Sequence, residues 1–439
     1  MKLFNPRQLA GWTYVLVFIG FSSLLRAEST TTGIETAPPA LSQLIQTSLA
    51  DNPALIALKA ELASARAGLR AADQAVYNPE LEIDYEDIDG SKNPDGSIAE
   101  GTTTTSLGIS QTIDWGDQRG SRTAMANARL QKALASYRLS SLGFINEVLS
   151  RQAQHQTQNE LAKLSMETLN IMREFKQISE RRYKAGDLNQ VELNLALLAY
   201  NQALMQQANA QADASQARES LRALLGGIPS NMPALPEQLP EARLSNNLDT
   251  QLQKLPIIQI QTADLQFARQ QIALRKSEKA WNPTIGIRGG KENDDSLLGF
   301  NLSIPLNVRN TFSAEVDAAR EDFIATEQRA QLAFRDIRGQ VIVATERYNN
   351  LLNAWNNWRE HSRSSVNQQL KLIKQLWQSG DISAADYLLQ LKQALETQAT
   401  GLELRNQLWQ VAFDWMRLTD SLDHWLNVNI DIPNQKTGY

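Results

Sequence analysis

The chain contains no cysteine, and only three of its 439 residues are histidine. The first absence excludes disulfides, thiol nucleophiles, Cys-ligated zinc and a lipid-modified N-terminal cysteine. It also removes cysteine usage as a clue to redox compartment. The second leaves His155, His361 and His424 scattered through helical tracts without a partner at metal-ligand spacing. Motifs of the GxSxG and HExxH types and Gly-rich phosphate loops are missing too, so neither an enzyme nor a cofactor is expected. No run of about 18 apolar residues occurs, so no transmembrane helix is expected. With a formal net charge of −5 and no dense Lys/Arg block, the chain lacks the footprint of a nucleic-acid binder.

What is present begins at the N-terminus. Lys2 and Arg7 precede "WTYVLVFIGFSSLL" (Trp12–Leu25), and Ala27 follows. A basic start, a short apolar stretch and a small residue predict a secretory signal peptide over residues 1–27, with a retained N-terminal anchor as the alternative.

Beyond it the apolar pattern is helical and unusually strict. Leu55, Leu58, Leu62, Ala65, Leu69, Ala72 and Val76 step by three and four, as a coiled-coil seam requires. The pattern predicts one helix over 41–76, a long one over 121–184, and an Ala/Gln/Leu-rich one over 188–225 ending at Gly226-Gly227. A proline-rich stretch, residues 228–250, reads as a linker. Helical patterns then resume over 255–279, 313–378 and 384–422. The two longest tracts would each extend about 100 Å at ~1.5 Å per residue, which suits a stalk or tube rather than a compact globule.

Between helices the period changes to two. "PELEIDYEDI" and "TSLGISQTI" alternate apolar and polar residues, as do "PTIGIRGG" and "LLGFNLSIPL". The order helix, strand pair, long helix, Gly-Asp turn, helix therefore occurs twice. Tyr77-Asn78-Pro79 answers Trp281-Asn282-Pro283, and Gly186-Asp187 answers Gly380-Asp381. The expected layout is a first repeat over 41–227, the linker, a second repeat over 251–425 and a C-terminal tail over 426–439. At each Gly-Asp turn the glycine ends one helix, and Asn189…Glu192 or Ser383…Asp386 restarts the next.

Four strands with an apolar face cannot close a membrane barrel alone. Either the sheet packs on a soluble core, or several chains pool their hairpins. Three chains would supply twelve strands, with Tyr77, Trp115 and Trp281 falling where an interfacial aromatic girdle would lie. The acidic strand face (Glu82, Asp84, Glu86, Asp87) reads as solvated, with coordination of a cation as the alternative.

The layout, the paired "YKAGDLNQVEL" and "WQSGDISAADYL" segments and "ISQTIDWGDQRGSR" resemble the TolC family of outer-membrane efflux proteins. "IPLNVRN" and "WGDQRGSR" are similar to forms in its CzcC-like heavy-metal branch. The resemblance implies a mainly α fold with a small β part: a homotrimeric twelve-stranded barrel in outer-membrane lipid on a helical periplasmic tunnel. It implies a passive exit duct for divalent heavy-metal cations, with drugs or secreted polypeptides as alternative cargo and a soluble periplasmic coiled-coil scaffold as the competing class. The implied partners are a periplasmic adaptor and an inner-membrane RND-type pump. Gly186, Asp187, Gly380 and Asp381 would form the adaptor-facing tips, and Asp386, Glu192 and Trp377 are aperture candidates. The family's second acidic position is Leu389 here, and the arginine expected two residues after the glycine is Ile382.

Overall fold

The computed structural model describes residues 36–430, apart from 91, 93, 95, 98–100, 228–231 and 245. The expected signal peptide and residues 431–439 of the tail lie outside the described residues.

Helix α1 (Pro39–Asp51) and helix α2 (Pro53–Ala72) replace the single helix expected from the seam. Pro53 cannot continue a helix from Asn52, which stays extended, and the Asn52 side chain caps the new helix by accepting from the Leu55 N–H at 3.0 Å. Strands β1 (Glu80–Ile88) and β2 (Thr102–Thr112) follow, then α3 (Gln118–Ala185), which is 68 residues long, and α4 (Gln190–Leu225). The second pass has a short α5 (Leu248–Leu252), α6 (Pro256–Ser277), β3 (Thr284–Glu292), β4 (Asp295–Ser303) and α7 (Ser313–Asn357). A five-residue π-helical turn, Trp358–Ser362, joins α7 to α8 (Arg363–Ser379), and α9 (Ala384–Leu418) and α10 (Leu422–Leu426) complete the described chain.

The π turn interrupts what the sequence presents as one long helix. Its first residue, Trp358, stacks on Trp355 with ring centroids 5.2 Å apart. The same indole lies against Gly401 of α9, where an added Cβ would overlap the ring carbons. Only a glycine admits the ring there, so this seat joins α7 to α9 by shape. The extra residue of a π turn re-aims a side chain that a regular helix would present elsewhere.

The four strands form one antiparallel sheet in the order β1-β2-β3-β4, leaving β1 and β4 as edges. β3 and β4 are joined by Asn293-Asp294 alone, with Asn293 at φ 49°. Its side chain accepts from the Thr103 N–H at 2.9 Å, pinning the turn to the next hairpin.

The main core lies around the middle of the long helices. It joins Leu41 and Ile45 of α1, Leu142, Ile145 and Leu149 of α3, Tyr348 and Trp355 of α7, and Trp409 and Phe413 of α9. The proline-rich segment is packed onto this core through Leu235, Leu239 and Ala242. Side chains of the long helices hold its backbone: Gln152 Nε2 donates to Pro233 O at 2.7 Å, and Trp409 Nε1 donates to Pro236 O at 3.0 Å. Asn349 Nδ2 donates to Ala242 O at 3.0 Å, and the Tyr348 hydroxyl donates to Pro240 O. This segment is a strap across the bundle. Residues 426–430 also pack here, with Leu426, Val428 and Ile430 buried, so the tail begins inside the core.

Candidate functional site: sheet face, junction and paired tips

The sheet presents its apolar side chains outward. Registered rows place Leu81, Ile109, Ile287 and Phe300 side by side, with Ile83, Leu107 and Leu298 in the next row. These seven side chains are 50–88% exposed. Contiguous apolar surface of this kind marks a partner or membrane interface. The opposite face is polar: Ser106 Oγ donates to Asp84 at 3.1 Å, and Ser110 Oγ donates to Glu82 at 3.1 Å. Glu80, Glu82, Asp84 and Glu86 therefore share the face away from the apolar rows. Among the described residues no helix is long and apolar enough to cross a membrane, and no group of three or more His, Asp or Glu side chains is placed to hold a metal ion.

At the helical end of the sheet the two aromatic-Asn-Pro segments meet. Asn282 Oδ1 accepts from the N–H groups of Trp115 and Gly116 at 3.1 and 3.4 Å, while its Nδ2 donates to the Tyr77 hydroxyl at 3.1 Å. One amide thus binds β2's exit to both junctions. Trp115 and Trp281 stay 73% and 58% exposed beside the apolar rows, whereas Tyr77 is drawn in and half-buried.

The far ends of the helices form the paired tips. α3 closes at Gly186, φ 86°, with Asp187 N–H donating to Arg182 O at 2.9 Å. α8 closes at Gly380, φ 85°, with Asp381 N–H donating to Leu376 O at 2.9 Å. In the left-handed region glycine avoids the Cβ clash, and this six-to-one bond satisfies a carbonyl the helix would otherwise orphan. The restarts differ. Asn189 and Glu192 form a reciprocal capping box, with bonds of 2.9 and 3.3 Å. Ser383 accepts from the Asp386 N–H at 3.1 Å, but its hydroxyl donates to the Asp386 carboxylate at 2.7 Å. Asp187, Asp381 and Asp386 are exposed, and Glu192 is half-buried and engaged in its cap.

Trp377 sits differently. It is buried, its ring 5.1 Å from Phe175 of α3 and 5.5 Å from Tyr387 of α9. Here it packs one tip against the other. Burial, reinforced by the field of Glu174, pushes the Tyr387 hydroxyl up to about 12. Arg182 completes the contact: its guanidinium lies 4.7 Å from the Trp377 ring, and Nη2 donates to Trp377 O and Gln378 O at 3.2 Å each. The last carbonyls of α8 lie at the negative end of a helix, where a cation is favoured; Trp377 O also accepts from the Gly380 N–H at 3.2 Å. Arg182 was invisible as a site residue because it stands 195 positions from its partner. Its place one turn before Gly186 was the only available signal.

Comparison with known proteins agrees with this geometry. Residues 44–227 match the family model described as "Outer membrane efflux protein". The cobalt-zinc-cadmium resistance protein CzcC of Cupriavidus metallidurans is 24% identical over 311 residues, covering 66% of this chain and 69% of that protein. Among solved structures, the outer membrane channel CmeC of Campylobacter jejuni matches with a TM-score of 0.71 at 13% identity, over 95% of this chain and 98% of its own. CusC matches with a TM-score of 0.70 at 19% identity, over 90% and 94%. The open-state channel MtrE of Neisseria gonorrhoeae matches with 0.71 at 18% identity, over 88% and 91%. These likenesses establish the fold across nearly the whole described chain. Residues 44–227 thus match the outer membrane efflux protein family, and the chain shares its fold with solved outer membrane channels.

Proposed function

We propose that three copies of the chain pool their sheets into a twelve-stranded barrel in the outer membrane, continuous with a helical periplasmic tunnel, and conduct divalent heavy-metal cations passively outward. The observation that supports this best is the sheet itself. It combines an exposed apolar face, an acidic opposite face and two free edges, β1 and β4. In hydrocarbon each unpaired edge group costs several kcal/mol, so β4 of one copy must pair with β1 of the next. The strands of 9 to 11 residues have the length a tilted membrane strand needs. Closing the ring puts Glu80, Glu82, Asp84 and Glu86 on the inner wall, where like charges attract cations. The relation to a cobalt-zinc-cadmium resistance protein points the same way for cargo. An inner-membrane pump and a periplasmic adaptor meeting Gly186, Asp187, Gly380 and Asp381 complete this reading, with Asp386 and Glu192 near the tip opening.

Membranes extracted with mild detergent and weighed as native complexes test the reading. A trimer recovered from the outer membrane supports the pooled barrel, and cation-over-anion selectivity in planar bilayers then supports the acidic lumen. A monomer released by osmotic shock without detergent would mean that the strands never meet lipid.

A further inference from the structure

On the outward face, where the sheet meets the helices, lies a pocket of about 620 Å³. Its walls are apolar: the Trp115 and Trp281 indoles, Pro283, and the Ile285, Leu302 and Ile304 side chains, with Lys279 at the rim. Ile285 and Leu302 are registered neighbours on β3 and β4, one row below Ile287 and Phe300, so the pocket opens directly off the apolar face. Both tryptophans are more than half exposed. The Lys279 ammonium makes no hydrogen bond or ion pair among the described residues, although its field reaches the Glu315 carboxylate. The corresponding place in the first repeat is built differently. Ala75 stands two residues before Tyr77, where Lys279 precedes Trp281, and the Tyr77 hydroxyl is occupied by Asn282.

We propose that this pocket holds one anionic phospholipid of the periplasmic leaflet per chain, with its acyl chain against Ile285, Leu302 and Ile304 and its phosphate at Lys279. The assignment rests on the membrane reading above. Lipid is the occupant because the pocket continues the face that would meet hydrocarbon, and because its only polar rim is a cation beside two indoles. Indole rings settle at the headgroup level, and a lysine there extends its stem along apolar surface while its charge meets phosphate. A free anion would leave the apolar wall wet. The β1 of the next copy would pair edge to edge with β4 and leave the outward face of the pocket open.

The test uses the purified trimer in vesicles and reads tryptophan quenching by brominated lipids. Phosphatidylglycerol brominated on its acyl chains should quench, and the Trp115→Phe/Trp281→Phe double variant should lose most of that quenching. Lys279→Gln should weaken the preference for phosphatidylglycerol over phosphatidylcholine about fivefold while leaving the trimer intact. Equal quenching by both lipids, unmoved by Lys279→Gln, would overturn the site in favour of ordinary boundary lipid. Competition by inorganic phosphate would make it a free-anion site, and no quenching by either lipid in an assembled trimer would mean that a neighbouring copy covers it. Failure to form a membrane trimer at all would instead refute the barrel reading.

Discussion

Arg182→Ala should loosen the tips without unfolding the chain. The variant removes two charge-assisted hydrogen bonds, each at 3.2 Å, and a cation–π contact at 4.7 Å. Charged hydrogen bonds contribute about 1.5–3 kcal/mol when well desolvated, and an exposed cation–π contact about 0.5–1 kcal/mol. Arg182 is half-buried, and its two bonds share one nitrogen, so the sum is discounted to roughly 2 kcal/mol. That corresponds to a roughly 30-fold shift in the local opening equilibrium. Hydrogen exchange on the detergent-solubilised protein should therefore show amides around residues 376–387 exchanging about 30-fold faster, with those around 142–149 unchanged. Phe175, Trp377 and Tyr387 remain packed in the variant, which confines the effect to the tips. Arg182→Lys should fall between the two, because an ammonium keeps the charge at the helix end but loses the planar stacking. Unchanged exchange in Arg182→Ala would refute the latch. A lysine variant identical to wild type would show that charge alone acts.

Gly401→Ala drives a methyl into the Trp358 ring and should cost about 3 kcal/mol, read as a lower denaturation midpoint, with Trp358→Leu restoring much of it. Glu160→Ala strips the carboxylate from Arg405, which is only 7% exposed and stacks on Trp409. Because Glu160 itself is partly exposed, a loss of about 2 kcal/mol is expected rather than the ~3–5 of a fully buried pair, and adding Arg405→Met should recover it. His155 is held below its ordinary value of 6.5 by burial, with Arg218 adding to the effect. The fold thus favours the neutral ring, so this contribution to stability is present above 6.5 and is lost as pH falls from there through the lowered folded value. Thermal denaturation followed against pH should show a shallower acid-side decline for His155→Gln.

Much of the architecture could be read from local chemistry. Gly-Asp after a helical run, followed by Asn or Ser with an acid three residues on, specifies a left-handed stop and a capped restart wherever it occurs. Both tips follow those rules. Period-two runs gave four strands because one face is apolar and the other polar, whatever covers them. The misses are those in which a distant residue decides. The Asn52-Pro53 break was readable from proline chemistry, since the three-four seam begins only at Leu55, beyond it. The π turn at Trp358 has no signature in its own segment, because its reason is the space above Gly401 on another helix. The proline-rich strap looked like a linker, since nothing in residues 232–244 announces that Gln152, Tyr348, Asn349 and Trp409 await its carbonyls.

The two repeats share a plan but have diverged into complementary halves. Tip one donates Arg182, and tip two offers Trp377 and the end of α8 to receive it. The first junction contributes a tyrosine hydroxyl that Asn282 of the second ties down, while the second offers the open Trp281 indole and Lys279 to a pocket completed by Trp115. Identical repeats would make identical contacts, and neither asymmetric pair would exist. A chain in which Ile382 takes the place expected of an arginine can therefore still bind its tips, because the cation comes from the other repeat. This complementarity also makes a sharp expectation: exchanging Arg182 with Ile382, as Arg182→Ile/Ile382→Arg, should not restore slow exchange at the tips. A guanidinium introduced at position 382 would begin beyond Gly380, past the carbonyls of Trp377 and Gln378 that a cation must reach from α3. Recovery of wild-type exchange in the exchanged variant would show that any nearby cation suffices and that the division of labour between repeats is incidental.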